Sequence, residues 1–404
     1  MASIYVHPGF QKSLNHPSKG MIGTITSIYY LGTWVSYLFI AHPLADQYGR
    51  RVAAAAGVLT TSVGAILQTE AKGSHGVGTM IVGRIICGLG LAIVSTSVPL
   101  FQRVGYAISH WESTQGMYYG WRLSMALQLV PEAIFLGGVF FCPESPRWLV
   151  EHGRSAAARN SIAWLRAMDP SHEQIKDEVD LIEQDVHQRK IATSQKWTAL
   201  FTHRPLFNRL WRASLLQFMA QMCGNVSLKY YLPTVLMGLG VPRKMTLLIG
   251  GVELTIKIGF TIVDTWLVDI YGRRLTLVVS CFVMTMALML NGALPIAYPN
   301  NINHVADYTC IAFIFIYTFA FSIGFGPAAW VYGSEIFPTN FRAKGLNIAA
   351  SGSSIGSIIS SQIWPIGIER IGSKTHFIFM STNLVSGIII FKLNSEYNKS
   401  FEAI

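Results

Sequence analysis

Apolar residues in this chain come in runs of roughly twenty, separated by polar turns. The runs fall at about residues 22–41, 52–68, 78–100, 121–142, 214–239, 245–268, 275–297, 309–333, 346–367 and 375–393. A helix needs about 20 residues to cross a hydrocarbon layer of about 30 Å, and lipid leaves the backbone no other partner than its own ladder. The pattern predicts an all-α polytopic membrane protein with ten recognisable spans. One polar stretch is long. Residues 143–212 are rich in both charges, and Glu173 to Lys190 has helical spacing, which predicts a cytoplasmic, partly helical linker. The chain then divides into an N-terminal membrane half (1–142), the linker (143–212), a C-terminal half (213–393) and a short tail (394–404). Residues 1–20 lack a basic segment leading into an apolar core, so they read as an exposed loop and not as a signal peptide.

The polar turns carry a repeat. Asp46-x-x-Gly49-Arg50-Arg51 returns as Asp269-x-x-Gly272-Arg273-Arg274, each copy lying between two apolar runs. A duplicated charged turn in matching context predicts two related halves. Glycine suits the left-handed residue that ends a helix, and the arginines after it suit the negative end of that helix. The aspartates can pair with arginines of neighbouring helices. Two such clusters would hold a cavity shut on the cytoplasmic side and release it when the halves rock.

Composition narrows the class. The chain is 51% hydrophobic and 13% charged, against about 25% charged in soluble domains. The excess of Lys and Arg over Asp and Glu, 31 to 21, is what cytoplasmic turns use to orient helices. It therefore calls for no nucleic-acid partner. The cysteines sit in or at the end of apolar runs, a spacing that suits neither disulfides nor a metal site. No nucleophile–base pair stands out, so the sequence predicts neither an enzyme nor a cofactor.

Polar residues inside the spans are the candidate chemistry. Glu253, Lys257 and Asp264 follow one another at offsets of four and seven, which places them within about 40° on one helical face. A central lysine costs about 2.5–3.5 kcal/mol on insertion scales, so such a face predicts a wet interior open to cargo or a coupling proton. Arg84, just inside the third run, fits the cytoplasmic charge network or a helix–helix pair. Two runs contain helix breakers. Gln217, Gln221, Gly224 and Asn225 precede Tyr230 and Pro233, and Gly324-Phe325-Gly326-Pro327 precedes Trp330. Breaks beside amides and aromatics are where transporters place their cargo. Paired amides suit a vicinal diol, and an indole face suits a sugar ring.

Taken together these residues resemble the sugar-porter family of the major facilitator superfamily, in the style of its fungal members. The matching pieces are Asp46 to Arg51, Gly83-Arg84, Pro143-Glu144-Ser145-Pro146-Arg147, Gln221-x-x-Gly224 with Tyr230-Tyr231-x-Pro233, Asp269 to Arg274, and Glu335-x-x-Pro338-x-x-x-Arg342-x-x-Gly345. The resemblance covers about residues 15 to 393. It implies twelve helices, alternating access, a sugar or small polyol as cargo, often a proton as companion, and the plasma membrane as default location. It also implies that Gln221 and Trp330 touch cargo, with Gln217, Asn225 and Tyr230 nearby. Asp46, Arg50, Arg84, Asp269, Arg273, Glu335 and Arg342 match its cytoplasmic salt-bridge network. Departures are Ala220 for the first of the family's paired glutamines, Val226 for a downstream asparagine and His42 for a glycine.

The resemblance also implies missing material. The family's first helix has no counterpart before Pro17. After Val98 to Gln102 the chain passes to Val104–Trp111, which matches only the outer end of the fifth helix. Without that crossing, the runs at 78–100 and 121–142 cannot both keep the family's orientation. So read, the chain is a shortened sugar transporter. The other readings are a non-transporting sugar-binding homologue or remnant, and an exporter of a small secondary metabolite.

Overall fold

The computed structural model describes residues 2–5, 8–93, 120–192, 199–299, 303–338 and 341–401. Among these the regular structure is helical throughout, and each of the ten apolar runs coincides with helix. The far end of the third run (94–100) and the junction at 101–119 lie outside the described residues. Four helical stretches meet the length and hydropathy of a full span by themselves: Arg50–Thr69, Ile270–Ala297, His304–Gly333 and Lys344–Lys392.

In the N-terminal half, helix Lys19–Val35 opens at Ser18, whose hydroxyl accepts from the Met21 amide at 3.2 Å. This satisfies one of the donors that a helix start leaves open. The helix runs through a single π turn, Ser36–Ile40, into Ala41–Tyr48. The π turn lies just ahead of Pro43, which removes a donor from the ladder. Gly49 then turns the chain into Arg50–Thr69, and Gly76–Ile93 returns beside it. Small residues set that approach: a methyl added at Gly64 would lie 2.6 Å from the Cys87 nitrogen and 2.7 Å from the Gly83 oxygen. Close backbone contact takes the place of the hydrophobic force that lipid abolishes between helices. Helix Leu129–Phe141 packs on Arg50–Thr69, where Ser62 donates to Glu132 at 2.5 Å.

The charged stretch folds into helices Pro146–Glu151, Ser155–Arg166 and Glu173–Ala192. Leu149, Val150, Ala158 and Val186 form one small core there, and Ile162, Ala163, Ile175 and Val179 another. Arg147 bridges to Asp185 at 2.5 Å and Arg166 to Glu178 at 3.3 Å.

The C-terminal half holds Arg204–Met222, Asn225–Gly238, Arg243–Ala297, His304–Gly324, Pro327–Ile336, Arg342–Ile371 and Thr375–Phe401. The longest of these is two helices joined at Gly272, whose φ of 74° is not helical. The halves meet where Lys19–Val35 lies along Arg342–Ile371. Hydroxyls line that seam, with Ser27 Oγ 2.9 Å from Ser361 Oγ and Thr33 Oγ1 3.0 Å from Ser354 Oγ.

Candidate functional site

Two breaks in the C-terminal half define the site. At Gly224 φ is +100°, a conformation that suits glycine, and the ladder of Arg204–Met222 stops there. Carbonyls freed inside a membrane need partners. Thr382 Oγ1 donates to the Met222 oxygen at 2.8 Å, while Tyr317 Oη and Asn383 Nδ2 donate to the Cys223 oxygen at 3.0 and 2.9 Å. Sequence reading missed all three donors. Their only signal is a polar group inside an otherwise apolar run. The second break ends at Phe325, whose amide donates to Phe321 at 2.9 Å, and Pro327 opens the next helix.

Gln217 ties the two breaks together. It is 2% exposed, and its Nε2 donates to the Ala329 carbonyl at 3.3 Å. Trp330 follows directly and is 41% exposed, so its indole is available and not packed away. Gln221 sits one turn beyond Gln217, half-buried beside Gly356. Asn225 Oδ1 accepts from Lys257 Nζ at 3.2 Å. Glu253 and Asp264 are buried and Lys257 half-buried, so their shared face looks into the bundle.

Tyr230 has a different setting. Its hydroxyl accepts from Tyr30 Oη at 3.3 Å, and its ring lies 6.5 Å from that of Tyr5. It thus joins the two halves, and Tyr5 and Tyr30 are contributors that the sequence reading did not include. A cavity of about 950 Å³ opens beside this cluster, lined among others by Tyr5, Gln11, Tyr231, Asn291 and Trp364. Gln217, Gln221, Asn225, Tyr230 and Trp330 do not line it.

The turn motifs form a separate site. Glu144 Oε1 accepts from the Arg50 amide at 2.8 Å, and both its oxygens accept from the Arg51 amide at 3.1–3.2 Å. A carboxylate here faces the positive start of helix Arg50–Thr69. The Pro143–Arg147 match carried no role in the sequence reading, and the cap is its role. Asp46 corrects an expectation: its carboxylate meets His42 Nδ1 at 3.2 Å, one turn back on its own helix, and among the described residues it pairs with no arginine. The arginines do reach helix carbonyls, but of a helix distant in sequence, since Arg51 Nη2 donates to the Phe140 oxygen at 2.6 Å. In the second copy Arg273 pairs with Glu335, and Arg274 Nη2 donates to the Phe391 oxygen at 3.1 Å. The Asp269 side chain lies outside what is described, and Arg342 is exposed at the start of its helix.

Arg84 takes the second of its two expected settings, a helix–helix pair, and leaves the cytoplasmic network. It is 2% exposed, donates to Tyr5 Oη at 2.8 Å and lies 5.9 Å from the Tyr29 ring. The physical reason is direction. Arg50–Thr69 carries the chain away from the Gly49 turn, and Gly76–Ile93 begins at the far end. Eight residues of return cover only about 12 Å, which leaves Arg84 within the bundle and away from the turn cluster.

The sequence model for sugar (and other) transporters matches residues 2–103 and 102–404 of this chain. The chain is 27% identical over 417 residues to the MFS-type transporter criB of Aspergillus cristatus, covering 96% of this chain and 84% of that protein. It is also 27% identical over 409 residues to a probable quinate permease of Aspergillus flavus, covering 92% and 76% respectively. Its fold superposes on the proton:xylose symporter XylE bound to 6-bromo-6-deoxy-D-glucose with a TM-score of 0.76, at 19% identity and over 97% of this chain and 92% of that one.

Proposed function

This chain belongs to the sugar (and other) transporter family, and we propose that it moves a sugar or related small polyol across the plasma membrane by alternating access, with Gln221 and Trp330 holding the cargo. One observation supports this reading: the Gln217–Ala329 hydrogen bond joins the helix that ends at the Gly224 break to the helix that Pro327 opens. In this reading amides from one helix and an indole from the other are set beside each other. Gln221 recognises hydroxyl pairs, since its amide gives and accepts together, and Trp330 offers a ring face. A relative named as a quinate permease falls within the same class of cargo.

Transport requires that cargo bind the two orientations of the halves unequally, because equal affinity shifts nothing. The Lys19–Val35 seam provides the surface along which the halves move, and the paired turns sit on the cytoplasmic side where closure is decided. A proton accompanies the cargo in this reading. Uptake by the purified chain in liposomes tests the assignment. Gln221→Ala is expected to weaken apparent cargo affinity at least tenfold, the loss of about 1.4 kcal/mol of binding. Unchanged affinity in that variant would remove Gln221 from the site.

A further inference from the structure

Two ammonium groups and one carboxylate share the interior wall next to the cargo site. Asn225 and Lys229 stand one turn apart on Asn225–Gly238, and Glu253 and Lys257 stand one turn apart on Arg243–Ala297, which packs against it. The two pairs face each other: Lys257 Nζ donates to Asn225 Oδ1 at 3.2 Å, and Glu253 acts electrostatically on both lysines. Among the described residues, ring faces also lie beside the ammonium groups. Lys257 Nζ lies 5.3 Å from the centre of Phe321, and Lys229 Nζ lies 6.0 Å from that of Tyr230. Asp264 belongs elsewhere, two turns on, with its Oδ2 3.6 Å from where a Gly326 methyl would be, at the start of Pro327–Ile336.

The local charge therefore sums to plus one, held in a setting where an uncompensated charge is unfavourable. Amides and ring faces leave an ammonium able to take an anion as well. The cluster begins at Asn225, four residues beyond Gln221 and directly across the Gly224 break, so it would meet one end of a molecule that Gln221 holds by its hydroxyls. Resting on the transport reading above, we propose that Lys257 and Lys229 anchor a carboxylate of the cargo, so that the preferred substrate is an acidic polyol, such as a sugar acid or a hydroxylated ring acid, and not a neutral sugar.

The test is calorimetric binding to the purified full-length chain, with D-glucose, D-glucuronate and quinate as probes. Glucose and glucuronate differ only in a hydroxymethyl against a carboxylate. At least one acid is expected to bind ten or more times more tightly than glucose. Lys257→Gln, which keeps a donor for Asn225, is expected to erase that preference, and Lys257→Arg to retain it. Unfolding temperatures of the variants report whether each one folds. Glucose binding as tightly as both acids would overturn the inference and leave sugar transport standing. A preference that survives both Lys257→Gln and Lys229→Gln would overturn the assignment to the lysines. If none of the probes binds, the transport reading and the inference fall together.

Discussion

At the first Asp-x-x-Gly-Arg-Arg turn a carboxylate from elsewhere in the chain fills the corner; at the second, no described residue fills it. Gly49 and Gly272 share a backbone conformation, φ 94° and ψ 162° against φ 74° and ψ 162°. A methyl at Gly49 would lie 2.6 Å from Glu144 Oε2, whereas at Gly272 it would meet nothing among the described residues within 4 Å. One brace is common to both. Arg51 and Arg274 each donate to the carbonyl of a phenylalanine, Phe140 and Phe391, and lie 5.9 and 4.7 Å from the same rings. What differs is the latch. The first copy is closed by a side chain gripping backbone amides, a cap that travels rigidly with its helix. The second depends on Arg273 and Glu335, which are 38% and 46% exposed, and an ion pair that open to water contributes about 0–1 kcal/mol. The repeat thus keeps the brace and divides the labour: the first turn is built to hold, the second to let go.

The largest effect that this contrast predicts is at the glycines. Gly49→Ala forces a side chain into a conformation costing about 1–3 kcal/mol and displaces Glu144, whose cap is worth about 1 kcal/mol more. Gly272→Ala incurs the strain alone. Thermal unfolding in detergent should rank Gly49→Ala clearly below Gly272→Ala, and equal losses would break the contrast. Next comes Glu144→Gln, which keeps an acceptor but removes the charge at the helix start, for an expected loss of about 0.3–1 kcal/mol. Smallest in stability is Glu335→Gln, expected to stay within about 1 kcal/mol of the parent. Its signature lies in function: liposome uptake should change while the unfolding temperature barely moves. A large stability loss in Glu335→Gln with none in Glu144→Gln would reverse the roles assigned to the two latches.

Much of the architecture was legible because it is written in lengths. An apolar run of twenty residues has one solution in lipid, and a repeated turn such as Asp269 to Arg274 marks the second half without any knowledge of contacts. Helix breakers at Gly224 and Pro327 were equally visible, since each alters the backbone locally. What escaped was anything decided by approach between distant segments. Glu144 caps an amide 93 positions away at Arg51, and nothing in Pro143–Arg147 shows which helix start it will meet. Asn383 reaches Cys223 across 160 positions. Arg84 was left between two settings for a related reason: its distance from the turn depends on which way the helix before it runs. The proposed cargo residues are an intermediate case, with Gln217 reaching Ala329, the neighbour of Trp330, while Tyr230 turns to Tyr30 instead.

The seam between the halves behaves like a lubricated bearing. Ser27 Oγ, besides facing Ser361, reaches the Gly23 oxygen at 2.8 Å on its own helix, and Thr33 Oγ1 reaches the Tyr30 oxygen at 2.8 Å. Ser361 likewise has the Ile358 oxygen at 3.1 Å. Ser27, Thr33 and Ser361 therefore each carry a fallback partner on their own helix, and sliding one helix along the other leaves those hydroxyls paired. Friction along the seam is low by construction. The resistance to motion, and so the timing of each stroke, is concentrated at the turns.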